Sequence, residues 1–532
     1  MVLALGLDTF FYTGFTASAD DNCYLLAAHN IAQGIKPLAT PDTNMEMRLA
    51  FLRLALTLPT AGMYLLAEGR IFWIAFFSII YHFCLIIIAL VMGNMLHGRR
   101  VGLLAAFLTA TCPLYVSLAG VVVPDLALTL WMSIALLCLI YAHRHHQRLM
   151  SSQGRLFLIL AAAGFVNGLA YSTKESGLVM LAPAALFLSL AAPRPWSLQT
   201  LRNGLYFVVG LAGFLGLEAL VLEQVCGQYI FRLGVIGEAK ADYLRLMELA
   251  GVWPWQRAQT ALASFAPYMP FSRWSLLAAM LVYPWLKNAN LLPWGYSLWL
   301  ILFLTFGTTG LGQYVPPPIQ GRYYAPVLLP AFVFTAFCLT TLEEYLCQRP
   351  WRLPGGLARW AAGLTLGLLA LVWVGDASTH LRQAGEMGRA NQVRSFLKAL
   401  AYAKARYPGL PIVLSPSISD RMIGMFLEDP GDLTITNRWY SVYRHPVPPP
   451  PFVLLEEKAR VTKTNVLVDL PTRADQRVYE VKASEEMFPG LARDEALVQG
   501  HWLLGLNPIQ AAKGEKSGYR TTLVLLVDLQ QP

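Results

Sequence analysis

Ile71-Phe-Trp-Ile-Ala-Phe-Phe-Ser-Ile-Ile-Tyr-His82-Phe-Cys-Leu-Ile-Ile-Ile-Ala-Leu-Val-Met-Gly-Asn-Met-Leu96 is an apolar run without one Asp, Glu, Lys or Arg. About 20 apolar residues cross the hydrocarbon core of a bilayer, so this stretch reads as a membrane span. The same pattern recurs at 101–119, 126–143, 155–172, 177–192, 203–223, 274–286, 291–309, 323–341 and 360–375. A shorter run at 2–17, interrupted by Asp8, makes the expected count eleven.

The whole composition agrees. Of 532 residues, 56% are hydrophobic and only 14% charged, where a soluble protein carries about a quarter charged residues. The formal charge is +9. Residues 1–375 hold 22 Lys and Arg against 15 Asp and Glu, and the remainder holds 19 against 17. The excess lies in the membrane part, as positive-inside sorting requires, and argues against a nucleic-acid partner. Seven cysteines are scattered, none after Cys347, with no disulfide framework and no metal-type Cys/His spacing. The cluster His143, His145, His146 sits with Arg144 and Arg148 and reads as a basic flank. The N-terminus lacks the basic n-region of a signal peptide.

The positive-inside rule sets orientation. His97-Gly-Arg99-Arg100, Arg144 to Arg155, Arg194 to Arg202 and Arg349 to Arg359 all fall on one side under an eleven-span count, together with the N-terminus. The other side receives 18–70, the turns at 120–125 and 172–176, the loops 224–273 and 310–322, and everything after 375. Residues 18–70 lack a full span and read as a loop on the membrane with amphipathic helices. Residues 376–532 read as a small soluble α/β domain on the non-cytoplasmic side. Its strands are expected at 411–414, 464–469 and 521–528, its helix at 390–406, and a stiff linker at Pro446 to Pro451. The expected fold is therefore an α-helical polytopic membrane protein, residues 1–375, followed by that domain.

Charges at span ends, gathered on one face, are how chemistry at a membrane is usually built. The first group is Ser18-Ala-Asp20-Asp21, opening a helix in which Tyr24, Leu25, Ala28, Ile31 and Ala32 recur at helical spacing before Gly34. Acids in a first helical turn also answer the helix dipole, so the pair is either a helix start or a catalytic base. Asp125, after Pro124, is either a cap for the next span or an oxygen ligand beside Asp20 for a divalent cation or an acceptor. Ser172-Thr173-Lys174-Glu175-Ser176-Gly177 separates two apolar runs. Lys174 and Glu175 either pair with each other, or Lys174 binds a lipid-linked phosphate as a point charge. Arg322-Tyr323-Tyr324 is either an interfacial anchor or a phosphate clamp. Arg232 is a weaker candidate for the same role, and Arg48 and Arg53 weaker still. No nucleotide-binding glycine loop is present: Gly164-Phe-Val-Asn-Gly168 lies inside a span.

In this order the chain is similar to the GT-C membrane glycosyltransferases, specifically the glycosyltransferase family 39-like group of protein O-mannosyltransferases and bacterial aminoarabinose transferases. The resemblance rests on Asp20-Asp21 with Tyr24 to Gly34, on Pro124-Asp125, on Thr173-Lys174-Glu175, and on Arg322-Tyr323-Tyr324 with Pro326 and Pro330. It covers residues 18 to about 340. That group usually carries Asp-Glu in its first loop; Asp-Asp here leaves the base as either acid. The resemblance implies a polyprenyl-phosphate-linked sugar as donor and inverting transfer to a glycan, lipid or protein acceptor. It implies Asp20 as the base, and Lys174, Arg322 and a tyrosine against the leaving phosphate. Some members of the group use a divalent metal, which Asp20 or Asp21 together with Asp125 would hold here, and a bacterial inner membrane with a periplasmic site is the implied location. The competing reading from charges within the membrane is a transporter or flippase for a lipid-linked glycan. Transporters often carry internal repeats, and no convincing repeat is visible here.

Overall fold

The structure, a computed structural model, describes residues 19–34, 45–67, 71–145, 152–190, 197–229, 254–264, 272–308, 319–348 and 371–376, a few single residues between them, and five short strands between 412 and 528. The chain divides into two compact units. The first comprises 1–12, 52–59 and 76–382, and the second 13–51, 60–75 and 383–532.

Fourteen α-helices are named here: α1 (Ala19–Ala32), α2 (Met45–Leu52), α3 (Leu54–Leu66), α4 (Ile71–His97), α5 (Arg99–Ala110), α6 (Pro113–Ala119), α7 (Pro124–Arg144), α8 (Gln153–Thr173), α9 (Leu181–Leu190), α10 (Leu198–Cys226), α11 (Pro254–Ser264), α12 (Ser272–Val282), α13 (Leu291–Phe306) and α14 (Ala325–Gln348). Among the described residues, five helical stretches are long and apolar enough to cross a membrane: Phe76–His97, Pro124–Arg144, Gln153–Thr173, Leu198–Cys226 and Gly321–Tyr345. α5 and α6 make a sixth if taken together, but they bend by 57°. The single span expected at 101–119 is thus broken. Pro113 has no N–H to donate and disfavours helical backbone in the residue before it. The first expected span, 2–17, lies outside the described residues, and 360–375 is described only in part.

The first unit is built on α7, α8 and α10, with α14 packed on α5, α7, α12 and α13. The α8–α10 contact explains the glycines at 164 and 168. A Cβ on Gly164 would overlap the Phe207 carbonyl, and one on Gly210 would overlap the Ala161 carbonyl. Small residues let two backbones meet inside a bilayer, where apolar burial drives no association. α10 is capped at both ends: Ser197 Oγ accepts from the Thr200 N–H at 3.2 Å, and Gly227 takes the left-handed conformation at φ 77°. Tyr115 of α6 donates to the Ala325 carbonyl at 2.9 Å and meets Phe332 edge-on, which fixes α6 against α14. Asp376 is buried and accepts from the Ser272 N–H at 2.5 Å, at the start of α12.

In the second unit, α1 starts directly after Ser18 and stops where expected, with Gly34 at φ 69°. Leu25, Leu26, Ala27 and Ala28 are all buried, so apolar burial is not confined to the expected stripe. The C-terminal sheet contains β1 (Ile412–Leu414), β2 (Leu433–Ile435), β3 (Phe452–Glu456), β4 (Gln476–Ala483) and β5 (Thr522–Asp528), in the order β2-β1-β3-β5-β4. β1 is parallel to β2 and β3, and β5 is antiparallel to β3 and β4. β5, with the run Leu-Val-Leu-Leu-Val, is flanked on both sides by paired strands. The strands expected at 411–414 and 521–528 are therefore present, each starting one residue later than expected. The one expected at 464–469, the Pro446 linker and most of the 390–406 helix lie outside the described residues.

Candidate active site

The site of the first unit is organised by the end of α8. The helix stops at Thr173, Lys174 is extended at φ −162° and ψ 140°, and Glu175 opens a 3-10 turn to Met180. Arg53, between α2 and α3, supplies the stop. Its Nη1 donates to the Thr173 carbonyl at 3.0 Å, meeting one of the carbonyls that a helix end leaves unpaired. Successive side chains in extended backbone point to opposite sides. Lys174 and Glu175 accordingly do not pair with each other, and each enters its own network.

Lys174 Nζ donates to Asp125 Oδ1 at 2.8 Å and stands 3.4 Å from the centre of the Tyr323 ring. Arg322 Nε lies 3.9 Å from Asp125 Oδ2 and donates to Gln320 Oε1 at 2.9 Å. The Arg322 guanidinium also lies over Tyr323, at 5.5 Å. Asp125 sits in the first turn of α7, but its side chain makes no cap: Val123 is the N-cap residue, without a side-chain bond. The carboxylate instead gathers two cations from other elements. Its side chain is 2% exposed, against 15% for Lys174 and 25% for Arg322. The acid is sealed, and the cations keep a face open.

Glu175 turns the other way. Its Oε2 accepts from Arg53 Nη1 at 3.3 Å, and its Oε1 lies 3.5 Å from Arg232 Nη1. Burial pushes this carboxyl upward, and the two guanidinium groups outweigh it, holding the pKa below the ordinary glutamate value. Arg232 is bound further to Glu218 of α10 in a fork, Nη2 to Oε1 at 2.6 Å and Nε to Oε2 at 3.1 Å. It also donates to the Leu52 carbonyl and lies over the Tyr171 ring. With side chains 6% and 4% exposed, Arg232 and Glu218 are closed off from ligand. Such planar pairing is what arginine offers and lysine does not.

A third chain of contacts reaches Tyr324. Arg257 of α11, buried, donates to the Thr305 carbonyl at 2.6 Å and the Pro317 carbonyl at 2.7 Å. Thr305 Oγ1 meets the Tyr324 hydroxyl at 3.0 Å. Tyr324 is buried, so of the two tyrosines only Tyr323 faces the cations. The Gly321–Tyr324 turn that carries Arg322 and Tyr323 is held from behind by this chain.

Asp125, Lys174, Glu175, Arg232, Arg322 and Tyr323 are thus brought into one neighbourhood, with four cations against three carboxylates once Arg53 and Glu218 are included. Asp20 and Asp21 lie in the first turn of α1, in the second unit, with side chains outside the described residues. The surroundings of Asp125 do not suit a divalent cation, which would meet an ammonium and a guanidinium there. No group of three or more His, Cys, Asp or Glu side chains suits a metal among the described residues. Sequence reasoning gave Arg53 little weight and missed Glu218, Tyr171 and Arg257. The one available signal was a charged Glu218 inside the apolar run 203–223, which calls for a partner.

Known proteins match both the first part of the sequence and the fold. The family described as dolichyl-phosphate-mannose-protein mannosyltransferase matches residues 22–226. No curated protein matches the sequence. Among solved structures, ArnT from Cupriavidus metallidurans bound to undecaprenyl phosphate is similar with a TM-score of 0.54 and 13% identity, over 90% of this chain and 94% of that one. The apo state of the same protein gives 0.50 and 12%, over 90% and 95%. The Archaeoglobus fulgidus oligosaccharyltransferase tethered to an acceptor peptide gives 0.46 and 13%, over 81% and 64%. Residues 22–226 carry the sequence pattern of the mannosyltransferase family, and the chain as a whole is an integral membrane protein with the GT-C fold of ArnT.

Proposed function

We propose that this protein is an inverting glycosyltransferase that takes a sugar from a polyprenyl-phosphate donor. The observation that carries the reading is the half-open pair Lys174 and Arg322 over Tyr323, backed by a sealed carboxylate. Two cations beside one buried acid leave net positive charge facing outward, which is what a phosphodiester leaving group needs as it departs. The match of 22–226 to a family named for a lipid-phosphate sugar, and the undecaprenyl phosphate bound by ArnT, support the same ligand class.

In the proposed reaction Asp20 or Asp21 takes the proton from an acceptor hydroxyl or amine. The acceptor atom bonds to the anomeric carbon as the bond from that carbon to the phosphate oxygen breaks. The lipid phosphate leaves with the electron pair, its charge met by Lys174 and Arg322. Arg232, Glu218, Glu175 and Arg53 hold the turn that presents Lys174. Asp125 holds the Lys174 ammonium in place. No step is assigned to a metal.

The proposal includes eleven spans, residues 1–375 as the membrane domain and 376–532 as a non-cytoplasmic α/β domain. It places the reaction on the periplasmic face of a bacterial inner membrane. The test supplies candidate polyprenyl-phosphate sugars to the purified protein and measures transferred sugar and released lipid phosphate. Asp20→Asn or Asp21→Asn should lower turnover by about a hundredfold or more with lipid binding retained. Full transfer in both variants removes the base assignment. Movement of lipid between leaflets with no transfer would establish a flippase instead. A reporter fused after residue 400 that answers from the cytoplasm overturns the orientation.

A further inference from the structure

α11 packs on the first unit by one narrow face. Arg257 and Ala261 are its buried residues, and Arg257 bonds to the carbonyls of Thr305 and Pro317. Arg257 is also the one charged residue of the helix. At right angles to this contact, α11 has two unlike edges. Trp255, Ala258 and Leu262 recur at i, i+3 and i+7 and share one edge. Gln256 and Thr260, at i and i+4, take the opposite edge, and both are exposed. Trp255 is 70% exposed and Leu262 40%. A single apolar residue on a surface needs no explanation, but a tryptophan and a leucine in register on one edge do.

The position of the helix says what meets that edge. Thr305 is next to the last residue of the apolar helix α13. Its Oγ1 meets the hydroxyl of Tyr324, in the first turn of the apolar stretch Gly321–Tyr345, which is long enough to span a membrane. α11 is thus held against the ends of two apolar helices, where hydrocarbon gives way to head groups. α13 also exposes Trp299, Leu302 and Phe306, again at i, i+3 and i+7. This stripe suits lipid, and it ends at Phe306, beside the carbonyl that Arg257 binds.

We propose that α11 lies in the plane of the membrane surface, on the side of the charged cluster, as an interfacial anchor. Trp255, Ala258 and Leu262 sit among the head groups and upper acyl chains, and Gln256 and Thr260 face water. Tryptophan favours this depth because its ring is apolar and its N–H polar. With no Lys or Arg on the exposed face, burial of apolar surface holds the helix and no anionic head group is selected. The anchor also reaches the site. Arg257 ties α11 to Thr305, Thr305 meets Tyr324, and Tyr324 closes the turn that carries Arg322 and Tyr323. α11 therefore fixes the depth of those two side chains. That this is the depth of a donor phosphate rests on the reaction proposed above; the seat of α11 in the membrane does not.

The test places the photo-crosslinker benzoylphenylalanine at position 255, 262 or 260 of the full-length protein in phosphatidylcholine nanodiscs. Mass spectrometry after irradiation reads what each position touches. Lipid adducts at 255 and 262 should exceed those at 260 by about tenfold, and adding phosphatidylglycerol should leave that ratio unchanged. Equal lipid adducts at all three positions overturn the proposal. So do adducts to protein in place of lipid at 255 and 262, which would mark a face covered by a protein partner. A ratio that rises with phosphatidylglycerol overturns its apolar basis. In nanodiscs, Trp255→Ser should quicken amide exchange in the Gly321–Tyr324 turn by about threefold or more, and Trp255→Phe should stay near the parent rate. Lipid adducts as expected, with exchange unchanged in Trp255→Ser, overturn the link between the anchor and the turn.

Discussion

Removing the partners of the Asp125–Lys174 pair one at a time and then together tests how the proposed site is held. The contact is 2.8 Å, with Asp125 all but sealed and Lys174 partly open. In Lys174→Met the buried carboxylate keeps, among the described residues, Arg322 at 3.9 Å. Breaking a buried pair from one side costs about 3–5 kcal/mol, because a charge is left unmet. Arg322 and the opening around Lys174 bring the expectation to the lower end, about 3 kcal/mol. Asp125→Asn leaves an ammonium that can swing to water, and should cost about 1.5–2 kcal/mol, the lower end for a lost charged hydrogen bond. The double variant contains no unmet buried carboxylate, and Arg322 keeps its access to water, so its loss should fall short of the sum by about 2 kcal/mol. Unfolding in mixed sodium dodecyl sulfate and detergent micelles, followed by tryptophan fluorescence, measures all three. Additivity within ~0.5 kcal/mol would show that the two groups do not act on each other. Single variants indistinguishable from the parent would reduce Lys174 to a surface anchor. On the proposed reaction, Lys174→Met also raises the KM for donor.

The α8–α10 seam makes a second, purely steric prediction. Gly210→Val forces a side chain into the Ala161 carbonyl and should destabilise by about 1–3 kcal/mol, the usual range for overpacking. Gly213, where a Cβ meets nothing, serves as the control in the same unfolding assay. Arg257→Gln removes the donors to the Thr305 and Pro317 carbonyls. Amide exchange over the Gly321–Tyr324 turn should then quicken by about tenfold, read by mass spectrometry. Unchanged exchange there would separate Arg257 from the turn. The lowered pKa of Glu175 has a fixed sign. Its contribution to stability is complete above the ordinary value of 4.5 and is lost as pH falls through the lower folded value. Glu175→Gln should flatten the acid limb of the stability curve, and an unchanged limb would remove the Arg53 and Arg232 contacts from the account.

Much of the membrane unit could be read along the sequence. Apolar runs marked α4, α7, α8, α10 and α14 because crossing a bilayer demands a length that composition reveals directly. Pro113 is the local signal of the break between α5 and α6, hidden within the apolar run 101–119. In the C-terminal region the dense apolar strands β1 and β5 were visible. β2 and β4 were not, being a three-residue Leu-Thr-Ile and the charge-alternating Gln-Arg-Val-Tyr-Glu-Val-Lys-Ala, which become strands by pairing, while β3, Phe-Val-Leu-Leu-Glu, carried an apolar signal that went unassigned beside the proline run. The candidate residues that the structure brings together, Asp125, Lys174, Glu175, Arg232, Arg322 and Tyr323, were all visible in the sequence as polar residues interrupting or flanking apolar runs. Tyr324 was grouped with Tyr323 although the backbone turns it inward.

What the sequence determined by itself was therefore solvent: which segments meet lipid, which ends carry charge, and which residue types are available for phosphate chemistry. These depend on composition over a window, and a window is local. Partnership was decided by the tertiary structure. Lys174 and Glu175 are neighbours in the chain, yet they bond to Asp125 and to Arg53 and Arg232, because extended backbone at 174 points them apart and helix packing delivers the partners. The glycines of α8 and α10 set how closely those helices approach, and so which charges can reach each other. A contact between residues far apart in the chain depends on helix rotation and separation together, which no single stretch of sequence carries.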